Sequence, residues 1–194
     1  MIRVFVGVRI GPNLAQRISE VSSHLKENLT GIRWVAQGNL HFTLKFLGEV
    51  QEQRVAPITA ALEQGLRETG PFTIEGRGIG VFPDIRKPKV LWVGLLGGGL
   101  EPLALKVGRT LQTLGFPKEK RSLKPHLTIG RWRQGRAPTQ NLGREIYRWQ
   151  DYEFGEFRVE GVILFESVLK PTGAEYSPLH VFHLSNEGDS DREK

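Results

Sequence analysis

A chain of 194 residues is long enough to bury a core of its own, and 39% hydrophobic with 25% charged residues is the balance of a soluble globular protein. The absence of cysteine excludes disulfides and thiolate metal sites. Arg3 and Arg9 interrupt the apolar N-terminal segment and no 18-residue apolar run follows, so neither a signal peptide nor a membrane span is read, and the cytoplasm is the expected location.

Residues 2–10 are rich in Val, Ile and Phe and read as a buried strand, broken by Gly11-Pro12. Leu14, Ile18, Val21, Leu25 and Leu29 then stripe one helix face. Ile32–Val35 reads as a short strand leading into a strand at His41–Leu47. Val55, Ile58, Leu62 and Leu66 mark a second helix, and residues 72–81 a further strand. The order then repeats: strand Val90–Leu96, a Gly97–Gly99 turn, a helix striped by Leu100, Leu103, Val107, Leu111 and Leu114, and a strand at His126–Ile129. A short helix is predicted around Gly143–Trp149. Residues 153–169 and 176–184 read as strands joined by a turn at 170–173, and 185–194 as a polar tail.

The two halves match in spacing. Gly7 precedes His41 by 34 residues and Gly94 precedes His126 by 32; Leu14 and Leu100 precede the same histidines by 27 and 26. This periodicity indicates an internal duplication. The expected fold is α+β and bilobal, one domain over 1–184, with two duplicated lobes of mainly antiparallel sheet backed by helices and a central cleft.

Each half carries His-x-Thr in a strand: His41-Phe42-Thr43-Leu44 and His126-Leu127-Thr128-Ile129. Side chains alternate along a strand, so each motif buries its apolar pair and presents an imidazole and a hydroxyl on the other face. One such histidine is ordinarily structural, but packing does not require a polar pair on the uncovered face of both copies. Two imidazoles, each with an unperturbed pKa of roughly 6.5, suit general acid and general base on opposite sides of a reacting phosphorus. Thr43 and Thr128 could hold the non-bridging oxygens, and Arg131 could add a bidentate guanidinium. Arg131 has the wrong strand parity for this unless the strand ends or bulges before it.

Zinc is the competing use of paired histidines, but neither motif contains a carboxylate. No metal and no cofactor is expected. His24, His180 and His183 have no threonine partner and read as structural or surface residues. Gly76, Gly78 and Gly80 lack the strand–turn–helix context of a dinucleotide site. The net charge of +6 favours an anionic partner, and residues 117–136 concentrate seven Lys and Arg against Glu119. A solvated basic face and phosphate attraction both remain open for that stretch.

The motifs and their surroundings resemble a known family. The resembling segments are Arg3-Val4-Phe5-Val6, Arg33-Trp34-Val35, Asn39-Leu40-His41-Phe42-Thr43-Leu44-Lys45-Phe46-Leu47-Gly48, Leu91-Trp92-Val93-Gly94 and Pro125-His126-Leu127-Thr128-Ile129-Gly130-Arg131. With Leu164-Phe165-Glu166-Ser167, Tyr176 and Leu179, they span nearly all of residues 1–184. The chain is similar to the 2H phosphoesterases, and within them to the RNA 2′,3′-cyclic phosphodiesterases formerly called 2′-5′ RNA ligases. The resemblance implies metal-independent hydrolysis of RNA 2′,3′-cyclic phosphate ends, or of cyclic nucleotides, to 2′-phosphates. It makes His41 the proton donor and His126 the acceptor, with Thr43, Thr128 and Arg131 on phosphate. Reversible 2′-5′ RNA ligation and non-catalytic capture of cyclic-phosphate ends are the alternative readings. The expected partner is such an RNA end, met by a monomer away from membranes.

Overall fold

Val4, Val6 and Val8 are buried on one side of the first strand against the core, and Phe5 on the other side is buried among Phe46, Phe165 and Tyr176, so that strand lies in the interior of its sheet. In the computed structural model, which describes residues 1–118, 123–133, 140–170 and 173–186, it is β1 (Ile2–Arg9). There follow α1 (Pro12–Asn28), β2 (Ile32–Trp34), a 3-10 turn at Gln37–Asn39, β3 (His41–Val50), α2 (Val55–Leu66), β4 (Phe72–Phe82) and β5 (Val90–Leu96). The second part holds α3 (Leu100–Gln112), β6 (His126–Trp132), α4 (Leu142–Trp149), β7 (Glu153–Val159), β8 (Gly161–Lys170) and β9 (Gly173–His183). Pro12 opens α1, where its fixed φ suits the first turn, and Leu14, Ile18, Val21 and Leu25 form the buried stripe. No described helix is long and apolar enough to cross a membrane.

The strands form two antiparallel sheets in the orders β3-β1-β8-β9 and β2-β6-β5-β4-β7. The expected α+β duplication is present: β3-β1-β8-β9 matches β6-β5-β4-β7 strand for strand, with β2 added outside β6. The sheets nevertheless exchange parts. β4 follows the first motif in sequence but completes the second sheet, while β8 and β9 return to the first. Helix α1, which follows β1 of the first sheet, packs on β7 of the second, and α3, which follows β5 of the second, packs on β3 of the first. One hydrophobic core therefore runs from Val4 to Leu184, and a smaller cluster of Phe5, Ile163 and Phe165 lines the opposite face of the first sheet.

Three expectations need correction. Residues 153–169 are not one strand: the chain leaves the second sheet after Val159 and enters the first at Gly161, with exposed Glu160 at the crossing. Gly7 and Gly94 are not equivalent. Gly94 pairs with His126, whereas Gly7 pairs with Thr43; Arg9 is the residue opposite His41. In this register both spacings are 32 residues. Finally, two helices stop short of their predicted stripes: α1 ends at Asn28, before Leu29, and α3 at Gln112, before Leu114. Residues 171–172 and 187–194, parts of the predicted turn and tail, lie outside the described residues.

Candidate active site

His41 and His126 open β3 and β6, and the alternation read from the sequence holds: Phe42, Leu44, Leu127 and Ile129 are buried while both histidines and both threonines are half-buried. Each imidazole is fixed by the same local contact. His41 Nδ1 donates to the carbonyl of Asn39 at 2.7 Å, and His126 Nδ1 donates to that of Lys124 at 2.6 Å. A carbonyl only accepts, so Nδ1 carries the proton in both rings and Nε2 is the free nitrogen of the neutral form. Asn39 is held in turn, its Nδ2 donating to the Ala174 carbonyl at 2.9 Å at the start of β9.

β3 and β6 touch, and a cavity of about 600 Å³ between the sheets is lined by His41, Thr43, His126, Thr128 and Arg131 together. All five predicted site residues thus share one cavity. Arg131 gets there by a β-bulge. Trp92 pairs with Thr128 but Leu91 pairs with Gly130, which leaves Ile129 as an extra residue and reverses the parity beyond it. The first motif has the same irregularity: Gly7 pairs with Thr43 and Val6 with Lys45, leaving Leu44 extra. Lys45 consequently turns inward, where its Nζ donates to the Pro117 carbonyl at 2.6 Å, and Phe46 turns to the cavity.

Aromatic rings wall the imidazoles. His41 lies edge-on to Tyr176, with centroids 4.7 Å apart, and against Phe5 at 4.8 Å. His126 meets Phe82 edge-on at 5.0 Å and Trp92 at 6.5 Å. Gly80 makes room for that indole, since a β-carbon there would overlap it. Burial among these rings lowers the pKa of both histidines from the ordinary 6.5; the backbone bonds work the other way, and the positive charge of Arg131 lowers both further. Arg9 adds to the effect at His41. Both rings are mainly neutral at pH 7.

The other candidates fall elsewhere. His180 binds Glu63 at 2.5 Å, His24 lies 3.5 Å from buried Glu145, and His183 is exposed on β9. Of the basic stretch, Arg131 lines the cavity and Lys124 supplies the carbonyl to His126, while Lys120, Arg121 and Arg136 lie outside the described residues. Phe46, Phe82 and the exposed Arg3 and Arg33 were not singled out as site residues; for Phe46 the signal was its place five residues after His41, matching Arg131 after His126.

The family described as LigT like Phosphoesterase matches residues 8–92, which hold the first motif. An Aquifex aeolicus protein named RNA 2′,3′-cyclic phosphodiesterase is 31% identical over 187 residues, 95% of this chain and 98% of its own length. The chain belongs to the LigT-like phosphoesterases. An Archaeoglobus fulgidus member bearing the same name is 34% identical over 182 residues, 93% of this chain and 99% of that one. The fold is shared as well: the crystal structure of the Thermus thermophilus protein TT0787 superposes with a TM-score of 0.80 at 28% identity, covering 96% of this LigT-like chain and 100% of the other.

Proposed function

We propose that this LigT-like phosphoesterase hydrolyses RNA 2′,3′-cyclic phosphate ends to 2′-phosphate ends, using two histidines and no metal. What supports it most is the mirrored pair of Nδ1 tethers, which leaves two free Nε2 atoms on one cavity beside Arg131. In this reading His126 Nε2 takes a proton from water as its oxygen attacks phosphorus. The P–O3′ bond breaks, and Nε2–H of His41 gives its proton to the departing O3′. Each such transfer typically contributes about 10²–10⁴-fold. Thr43 and Thr128 donate to the non-bridging oxygens, and Arg131 meets their charge.

The depressed histidine pKa values fit this scheme. The base must be neutral, and the negative charge of a bound phosphodiester offsets Arg131 and so favours the protonated form of the acid. For the metal-free reading, the support is the donor set: among the described residues no three His, Asp or Glu side chains gather as metal ligands. Both histidines and Arg131 come from one chain, so the site is complete within a monomer of one domain over 1–184.

The test is incubation with a panel of 2′,3′-cyclic nucleotides and end-cyclised oligonucleotides, with products identified by mass and the assay repeated after exhaustive chelation. Expected are 2′-phosphates and unchanged rates after chelation. Activity abolished by chelator and restored by zinc or manganese would overturn the mechanism.

A further inference from the structure

Arg33 and Arg131 are paired directly across β2 and β6, and both line the cavity. Directly opposed residues share a face with Cβ atoms about 4.5–5.5 Å apart, and like charges in that position are destabilising. Neither strand offers an acid to screen them. Arg3 of β1 adds a third guanidinium to the same cavity, and Lys26 stands over the ring of neighbouring Trp34, 5.8 Å from its centroid. Among the described lining residues the one acid is Glu175, whose carboxylate Lys170 binds at 2.6 Å. A single reacting phosphodiester carries one negative charge and is met by Arg131 in the scheme above. Among the described lining residues no acid is set against Arg33, while Arg3 has Glu49 opposite it on β3.

We infer that Arg33, with Arg3, binds a second phosphate, the one on the 5′ oxygen of the terminal nucleoside, so that the site takes the end of a strand in preference to a free cyclic nucleotide. This rests on the proposed reaction, which commits Arg131 to the cyclic phosphate. The shared chemistry is a phosphate one ribose away from the reacting one. Its two sources are the diester linkage of an RNA strand, which we favour because the proposed substrate is an RNA end, and a terminal 5′-monophosphate. The guanidiniums of Arg33 and Arg131 start on adjacent strands, are long enough to diverge, and are thereby placed to hold two phosphates of one chain.

The experiment measures kcat/KM for three substrates: adenosine 2′,3′-cyclic phosphate, its 5′-phosphorylated form, and the dinucleotide ApA ending in a 2′,3′-cyclic phosphate. The dinucleotide should be preferred over the plain mononucleotide at least about tenfold, with a log–log salt slope steeper by about 0.7 for the extra single-strand phosphate. Arg33→Ala should compress that preference to within about threefold, Arg33→Lys should keep part of it, and Arg3→Ala, on a separate strand, should reduce it too. A ratio near one in the unaltered protein, or a ratio that survives both alanine changes, overturns the inference. A 5′-phosphorylated mononucleotide preferred over the dinucleotide would overturn the strand linkage as source. Turnover of the mononucleotide without preference for the dinucleotide sinks the second phosphate site and leaves the reaction standing. If neither substrate is turned over the reaction falls, and affinities for 2′-phosphorylated ApA and 2′-AMP then read the site directly, equal values overturning it.

Discussion

Phe46 and Arg131 occupy the same place in two copies of one strand. Each lies five residues after a motif histidine, each follows a bulge at the residue after the motif threonine, and each turns to the same cavity. The backbone is therefore closer to twofold symmetry than the chemistry it carries. One copy presents a phenyl ring and the other a guanidinium, so the electrostatic half of the site resides on β6.

That equivalence can be tested by moving the charge. Arg131→Ala should lower kcat/KM by about 10²–10³, the usual loss for one donor aimed at developing charge. Adding Phe46→Arg in that background should recover at least about tenfold. Phe46 is 60% exposed, so the change should leave the urea midpoint nearly unmoved. A folded double variant with no recovery would show that the two bulges do not aim their side chains alike.

The pH dependence follows from the sign of the histidine shifts. Burial and Arg131 depress both pKa values below 6.5, and kcat/KM reports the groups of the free enzyme. Its optimum should therefore lie below about pH 6.5. Removing a nearby positive charge stabilises imidazolium and raises both pKa values, so Arg131→Ala should displace the bell to higher pH, while Arg131→Lys should hold it nearer the original. A bell that stays in place in Arg131→Ala, measured over pH 4.5–9 on the cyclic mononucleotide, would contradict the coupling.

The direction of proton transfer is separable by leaving group. His41→Ala and His126→Ala should each lose about two to four orders of magnitude on the normal substrate. With sulfur in place of the departing O3′, the thiolate needs little protonation. His41→Ala should then regain most of its loss and His126→Ala should remain slow. The reverse pattern would exchange the two roles.

Gly80 supplies a stability prediction. A β-carbon there overlaps Trp92, whose indole adjoins His126, so Gly80→Ala should cost about 1–3 kcal/mol in urea denaturation and lower the rate as well. Gly98→Ala, which meets nothing within 4 Å, is the control. Equal stability for the two variants would mean that the indole simply moves aside.

Local alternation made the two motifs legible, and helical spacing did the same for the apolar stripes of α1, α2 and α3, because those patterns depend on neighbours a few residues apart. Arg131 was legible as chemistry but not as geometry: its parity was wrong until Ile129 was known to be unpaired, and pairing is a property of two strands. The same reason explains Gly7 and Gly94, which align by residue type yet sit opposite different motif positions. The aromatic walls join Phe5 to Tyr176, and Phe82 and Trp92 to His126, across strands separated by many residues, and no periodicity carries that information. Residues 153–169 looked continuous because Phe and Val recur through β7 and β8 alike; what divides them is a change of sheet at Glu160, and since β7 already carries exposed Glu153 and Glu156, one more exposed acid before a glycine does not mark it.

The exchange of strands between sheets bears on how the molecule is made. The first sheet draws on residues 2–9 and 41–50 and then on 161–170 and 173–183, whereas the second is complete by residue 159. During synthesis strand β3, which bears His41, emerges early, but its sheet has no β8 or β9 to close it until residues 161–183 have been made. The sheet bearing His126 is thus able to assemble first and act as the template on which the other half docks. A nascent chain released before residue 161 would expose the edge of β1 that β8 normally covers, an unpaired strand of the kind that recruits neighbouring chains. Quality control for this fold accordingly falls on its last two strands.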